Sequence, residues 1–204
     1  PAHYLGGCFS KNRRLQQTHF LIGFNGVSFF DPAFYSASAL STLLGGGMAS
    51  RLFQEIRENR GLAYSIYSFL SSYTDAGLFG VYAGTSPEHT AQLIPLIKTE
   101  LKKATEQISN EEIERTKAQL KASILMSLEN TSARCEQQAR HLNLYGRSIP
   151  TEEIVSHIND IDVNSIKDVA VRIFSTEPTL VSIGATQDLE KFMLGWLAFF
   201  WRRS

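Results

Sequence analysis

Charge of one sign is what this chain most plainly lacks. Twenty lysines and arginines stand against twenty aspartates and glutamates in 204 residues. A net charge of zero removes the electrostatic footprint of a nucleic-acid binder. Cysteine is scarce: Cys8 and Cys135 are too few for a disulfide scaffold and fit a reducing compartment or indifference to redox state. No run reaches the roughly 18 apolar residues of a membrane-spanning helix. The nearest is 192–201 (FMLGWLAFFW), which stands ahead of Arg202 and Arg203. It reads as a terminal segment packed on the core or on a partner, with a membrane-surface anchor as the alternative. The start at Pro1, with no signal-peptide pattern, suggests a processed, truncated or engineered beginning. Internal repeats and low-complexity linkers are also missing.

The familiar catalytic motifs are missing as well. There is no G-x-S-x-G nucleophile elbow. Glu88-His89 could end an H-x-x-E-H zinc motif, but Thr85 stands where the first histidine is needed. His3, His19, His89, His141 and His157 are scattered, no two within a helical turn, so no metal site is expected in this chain. His19 reads as a packed or edge histidine. Gly45-Gly46-Gly47 follows a helical segment and has no lysine after it, which excludes a phosphate loop. The triplet is either a tight turn between helices or a flexible loop beside a bound ligand.

What is present is a globular composition, 43% hydrophobic and 20% charged, long enough for one domain or two small ones. Residues 4–13 read as a loop or edge segment, and 17–25 (QTHFLIGFN) as a strand. Asp31-Pro32 starts a helix over 33–44. A second helix, 49–60, stops at Gly61. Residues 62–73 and 78–85 are strands around the turn Asp75-Ala76-Gly77. Ser86-Pro87-Glu88 opens a helix with Leu93, Ile94, Ile97, Leu101 and Ala104 on one face. Ser109 and Glu112 stand in capping-box register ahead of a helix that turns Ile113, Leu120, Ile124 and Leu128 inward. Helices over 131–144, 151–158 and 163–174 and a buried strand at 179–185 complete the order. That order predicts an α+β fold, an antiparallel or mixed sheet with helices gathered on one face.

The chemistry is most concentrated at 51–65. A charged amphipathic helix runs through Gly61 into an aromatic strand, with Arg57 near the helix end and Tyr64 at the strand start. Arg offers a rigid fork of donors to a carbonyl or carboxylate. A Tyr hydroxyl can donate to a developing oxyanion. The plain alternative is a surface Arg and a core Tyr.

At this stretch the sequence resembles a known family. The run LLGGGMASRLFQEIRENRGLAYSIYSF (43–69) is similar to the C-terminal half of the pitrilysin-type (M16) zinc metallopeptidases, especially the bacterial branch like the mitochondrial processing peptidase. The resemblance takes in QTHFLIGFNG upstream and NEEIERTKAQLKASILMSLEN and ARCEQQARHLNLYGR downstream. It covers roughly 1–186, one domain, and leaves 187–204 as an aromatic tail of no assigned role.

The resemblance implies half of a two-domain clamshell with the M16 (LuxS/MPP-like metallohydrolase) fold. It implies zinc in a homologous N-terminal domain that carries H-x-x-E-H, and none bound by this chain. Where the zinc helix of that half would correspond, this sequence has Ser38-Ala39-Leu40-Ser41-Thr42. Arg57 and Tyr64 match the family's R-x6-Y pair: Arg57 would hold the substrate backbone, and Tyr64 would stabilise the tetrahedral intermediate. Gly45, Gly46 and Gly47 join them as substrate-binding residues. An exposed strand at the sheet edge could pair with an extended substrate. The implied function is the substrate-binding half of a zinc metalloendopeptidase, inactive alone. The alternative is a non-catalytic structural subunit, as in the core proteins of a respiratory complex. Implied partners are a peptide substrate, the N-terminal zinc domain and possibly a second copy, with neither nucleic acid nor a membrane span. The implied location is the cytoplasm of a bacterium, or the mitochondrial matrix of a eukaryote.

Overall fold

The computed structural model describes residues 2–185 and Trp196. Apart from Trp196, the tail at 187–204 lies outside the described residues. The chain runs β1 (Gly7–Asn12), β2 (Thr18–Asn25), α1 (Phe34–Gly45), a π-helical segment (Phe53–Glu58), β3 (Ser65–Ser72) and β4 (Gly77–Thr85). A 3-10 turn (Pro87–His89) leads to α2 (Thr90–Glu106), α3 (Asn110–Ser127), α4 (Thr131–Tyr145), α5 (Thr151–Asn159), α6 (Val163–Phe174) and β5 (Thr179–Gly184). The sheet order is β1-β5-β2-β4-β3. β1 runs parallel to β5 and every other pairing is antiparallel, so the sheet is mixed and the fold is α+β.

Strand alternation decides which face is covered. Phe20, Ile22 and Phe24 of β2 and Phe79, Val81 and Ala83 of β4 are buried on one face. Phe174 of α6 meets that face, with ring centres 5.1 Å from Phe24 and 5.5 Å from Phe79. Trp196 is buried there too, 5.5 Å from Phe24. Leu93, Ile94, Ile97, Leu101 and Ala104 of α2 join the same core. Each of the Phe, Leu and Ile side chains contributes about 1.5–3 kcal/mol by leaving water. α1 is buried nearly all round, from Ser36 to Gly45, as a helix enclosed by sheet and helices must be. The strand pairing puts Phe9, Tyr67, Tyr82, His19 and Ile183 together on the opposite face. There Phe9, Tyr67 and Ile183 are exposed.

The hairpin formed by β3 and β4 closes at Ser72 opposite Gly77, where the Asp-Ala-Gly turn was read. The Ser109–Glu112 capping box forms as expected. The segment at 4–13 supplies an edge strand. Three expectations need correction. The helix read at 49–60 widens into a π-turn, closed by Asn59 N–H donating to the Gln54 carbonyl, an i to i−5 bond. Ser86 makes no side-chain cap, and a 3-10 turn precedes α2. On α3, Ile113 is buried, but Leu120 and Ile124 are only half-buried against the core. The reason lies in α4, which covers α3 loosely and has no buried residue of its own.

Candidate functional site

The glycine triplet joins the buried end of α1 to the next helix. Gly45 presses on β3, where a side chain would meet Ser68 Oγ at 2.7 Å and the Tyr67 carbonyl carbon at 2.8 Å. The seam beside it uses small residues: Ser68 Oγ donates to the Ser41 carbonyl at 2.6 Å. Gly46 is exposed, and its carbonyl accepts from Gln119 Nε2 of α3 at 2.6 Å. The Gly47 carbonyl accepts from Ser50 N at 3.0 Å and Ser50 Oγ at 2.6 Å, which starts the following helix.

Leu52 and Ile56 of that helix are buried and fix its orientation. Arg57 lies on the exposed side, its guanidinium carbon 4.7 Å from the centre of the Phe53 ring. Gly61 turns the chain at φ +64°, a left-handed conformation that glycine adopts without penalty. Its N–H donates to the Arg57 carbonyl at 3.1 Å, and Leu62 N–H donates to Ile56 at 2.9 Å. Tyr64 N–H then donates to the Gly84 carbonyl at 2.8 Å, which locks the residue to β4. The Tyr64 side chain is 60% exposed, so it is not a core tyrosine. Arg57 and Tyr64 are therefore surface donors held on either side of one rigid turn. The glycines stand at the other end of the same helix, with Gly45 buried behind Gly46 and Gly47.

Long-range contacts that the sequence reading missed hold this segment. Arg51 donates through Nε and Nη2 to the Glu112 carboxylate at 2.7 and 2.9 Å, and through Nη2 to the Gln107 carbonyl at 2.7 Å. Glu112 also caps Ser109. α3 thus grips the segment twice, at Arg51 and at Gly46. Burial would raise the Glu112 carboxyl, but the Arg51 hydrogen bond, the Ser109 N–H and the Arg51 charge hold it down at about 2. A folded value below the unfolded one means that this link stabilises fully above about pH 4.5 and is lost as pH falls towards 2. Glu112→Gln is expected to cost about 1–3 kcal/mol at pH 7, between an exposed and a buried pair. The cost should shrink at pH 3. Urea midpoints at the two pH values check this, and an equal cost at both would refute it.

The residues where a zinc helix would correspond do not fit a metal. Ser38 Oγ donates to the Phe34 carbonyl at 2.9 Å and Thr42 Oγ1 to the Ser38 carbonyl at 3.0 Å, so both hydroxyls serve their own helix. Among the described residues, no group of three or more His, Cys, Asp or Glu could hold a metal ion. His19 packs on Tyr82, its Nδ1 2.7 Å from the phenol oxygen. No helix among the described residues is long and apolar enough to cross a membrane.

The site sits on a five-stranded mixed sheet backed by helices, with Arg57 and Tyr64 as surface donors and, among the described residues, no cluster of metal ligands. The family model described as "Peptidase M16 inactive domain" matches residues 1–120, and the chain belongs to that family. A Rickettsia felis protein named "Uncharacterized zinc protease" is 39% identical over 94% of this chain and 47% of its own length. The "Mitochondrial-processing peptidase subunit alpha" of Neurospora crassa is 33% identical over 96% of this chain and 40% of its own. A crystal structure of a conserved protein from Enterococcus faecalis superposes with a TM-score of 0.77 at 26% identity, over 92% of this chain and 44% of that one. The chain spans about half the length of the relatives it matches.

Proposed function

We propose that this chain is the substrate-binding half of a two-part zinc endopeptidase, and that a homologous H-x-x-E-H half supplies the metal. The observation that carries this reading is the Arg57–Gly61–Tyr64 turn. Two strong donors stand on the surface, their backbones fixed by a bond from Gly61 to Arg57 and one from Tyr64 to Gly84, although neither donor is needed for the core. Donors on a backbone that is already held have less freedom to lose on meeting a peptide, which supports a role in transition-state binding. In this reading Arg57 holds a substrate carbonyl and Tyr64 donates to the oxygen that becomes negative in the tetrahedral intermediate. Gly46 and Gly47 let the peptide backbone approach, and Gly45 anchors them from behind. Half the length of the related zinc proteases leaves room for the second half.

The test is cleavage of a quenched fluorescent peptide by the chain alone, the chain with zinc, and the chain titrated with the zinc half from the same source. Cleavage that appears only in the mixture and saturates at one-to-one is expected. Silence in the mixture, with the complex seen by light scattering, overturns the reading and favours a structural subunit.

A further inference from the structure

A separate hollow lies under α4, at the opposite end of α1 from the glycines. α1 has 12 residues, so its ends stand about 18 Å apart. The hollow has a volume of about 280 Å³ and opens to solvent on one side. Its walls are apolar: Phe34, Leu120, Ile124, Leu144, Ile154 and Ile158. Polar groups converge at one part of the wall, where α4 contributes Gln137, Arg140 and His141. An apolar body with a few placed polar groups is the usual form of a small-ligand site, and this volume suits a small ligand.

Arg140 and His141 favour an acceptor, and the Gln137 carboxamide can serve either way. His141 Nδ1 accepts from Ile149 N–H at 3.3 Å, which leaves the ring proton on Nε2 as a donor. Burial, with the charges of Arg140 and Arg147, pushes the His141 pKa down, so the ring is neutral near pH 7. Arg140 is in no ion pair among the described residues: Glu153 holds Arg147 at 2.6 Å, and Glu136, one turn back on α4, lines the neighbouring hollow with Arg140 without bonding it. An arginine without a carboxylate, beside a histidine N–H and an apolar wall, is complementary to one kind of molecule.

We propose that the hollow under α4 binds a small apolar carboxylic acid, its hydrocarbon against Ile124, Leu144 and Ile154 and its carboxylate on Arg140 and His141. The site is independent of the peptidase reading and stands or falls separately. α4 has no buried residue, so it can adjust to a ligand without breaking the core.

The test titrates the 204-residue chain with sodium octanoate by calorimetry, with octan-1-ol as the uncharged counterpart. One saturable site with Kd of about 1 mM or tighter is expected. Octanol should bind at least tenfold more weakly, and Arg140→Ala should weaken octanoate at least tenfold. Arg140 is exposed, so that variant should fold. Methyl resonances of Ile124, Leu144 and Ile154 should shift on saturation. Absence of saturable binding, equal binding of octanol, indifference to Arg140→Ala, or shifts confined to other methyls would each overturn the proposal.

Discussion

In the proposed two-half enzyme, Tyr64→Phe is expected to lower kcat by about 10- to 1000-fold, a span that takes in the roughly 100- to 1000-fold loss on removing one oxyanion donor. The substitution deletes a single hydroxyl. Tyr64 N–H still donates to Gly84, so the turn keeps its shape. The side chain is 60% exposed, and the unfolding free energy should move by no more than about 0.5 kcal/mol. KM should change little, because the bond in question strengthens only as the carbonyl oxygen gains charge. Arg57→Ala should differ in kind. Arg57 would hold the substrate in the ground state as well, so both kcat and KM should worsen. Arg57→Lys keeps the charge but loses the planar fork, and should recover only part of the loss. Initial rates over a range of peptide concentrations, beside thermal unfolding of the same samples, separate these effects. Unchanged turnover in both Tyr64→Phe and Arg57→Ala would remove the assigned roles.

Much of the fold was legible because its signals are local. Asp75-Ala76-Gly77 marks a hairpin, Ser109 with Glu112 marks a helix start, and Gly61 marks a helix end. Each rests on residues a few positions apart. The edge strand β1 was readable only as a loop or edge, since its partner β5 lies some 170 residues away: Gly7 pairs with Thr179. The grip of α3 on the candidate site was invisible for the same reason. Gln119 meets Gly46 across 73 positions of sequence and Arg51 meets Glu112 across 61, and such bonds leave no periodic trace. Glu112 looked like a cap and is one, but it also holds Arg51. The shallow burial of Leu120 depends on how loosely α4 covers it, which no pattern within α3 could disclose. Arg57 and Tyr64 were found through a family motif. Their spacing alone does not distinguish a functional pair from ordinary surface residues.

Gly45→Ala should be the most disruptive small substitution in the candidate site, at about 3 kcal/mol or more, the upper part of the range for overpacking. The added carbon would fall on the backbone nitrogen of Ser68, with Ser68 Oγ at 2.7 Å and the Tyr67 carbonyl carbon at 2.8 Å. A side chain could rotate away from such a contact. A strand backbone paired on its other side to β4 cannot. Gly61→Ala provides the contrast. Nothing lies within 4 Å of a carbon added there, so the cost is only that of a left-handed conformation at φ +64°, about 1–2 kcal/mol. The two glycines thus serve different needs, close approach at Gly45 and backbone conformation at Gly61. Of the two readings open for the triplet, flexibility therefore does not apply at Gly45, where α1 and β3 are held in contact. The effect should reach the site, because β3 begins one residue after Tyr64. Alanine at position 45 would push α1 and β3 apart and move both Gly46 and Tyr64. Chemical denaturation and peptide turnover measured on the same samples should fall together, with turnover per folded molecule also reduced. A large loss of stability with full turnover per folded molecule would show that the α1–β3 seam does not position the site.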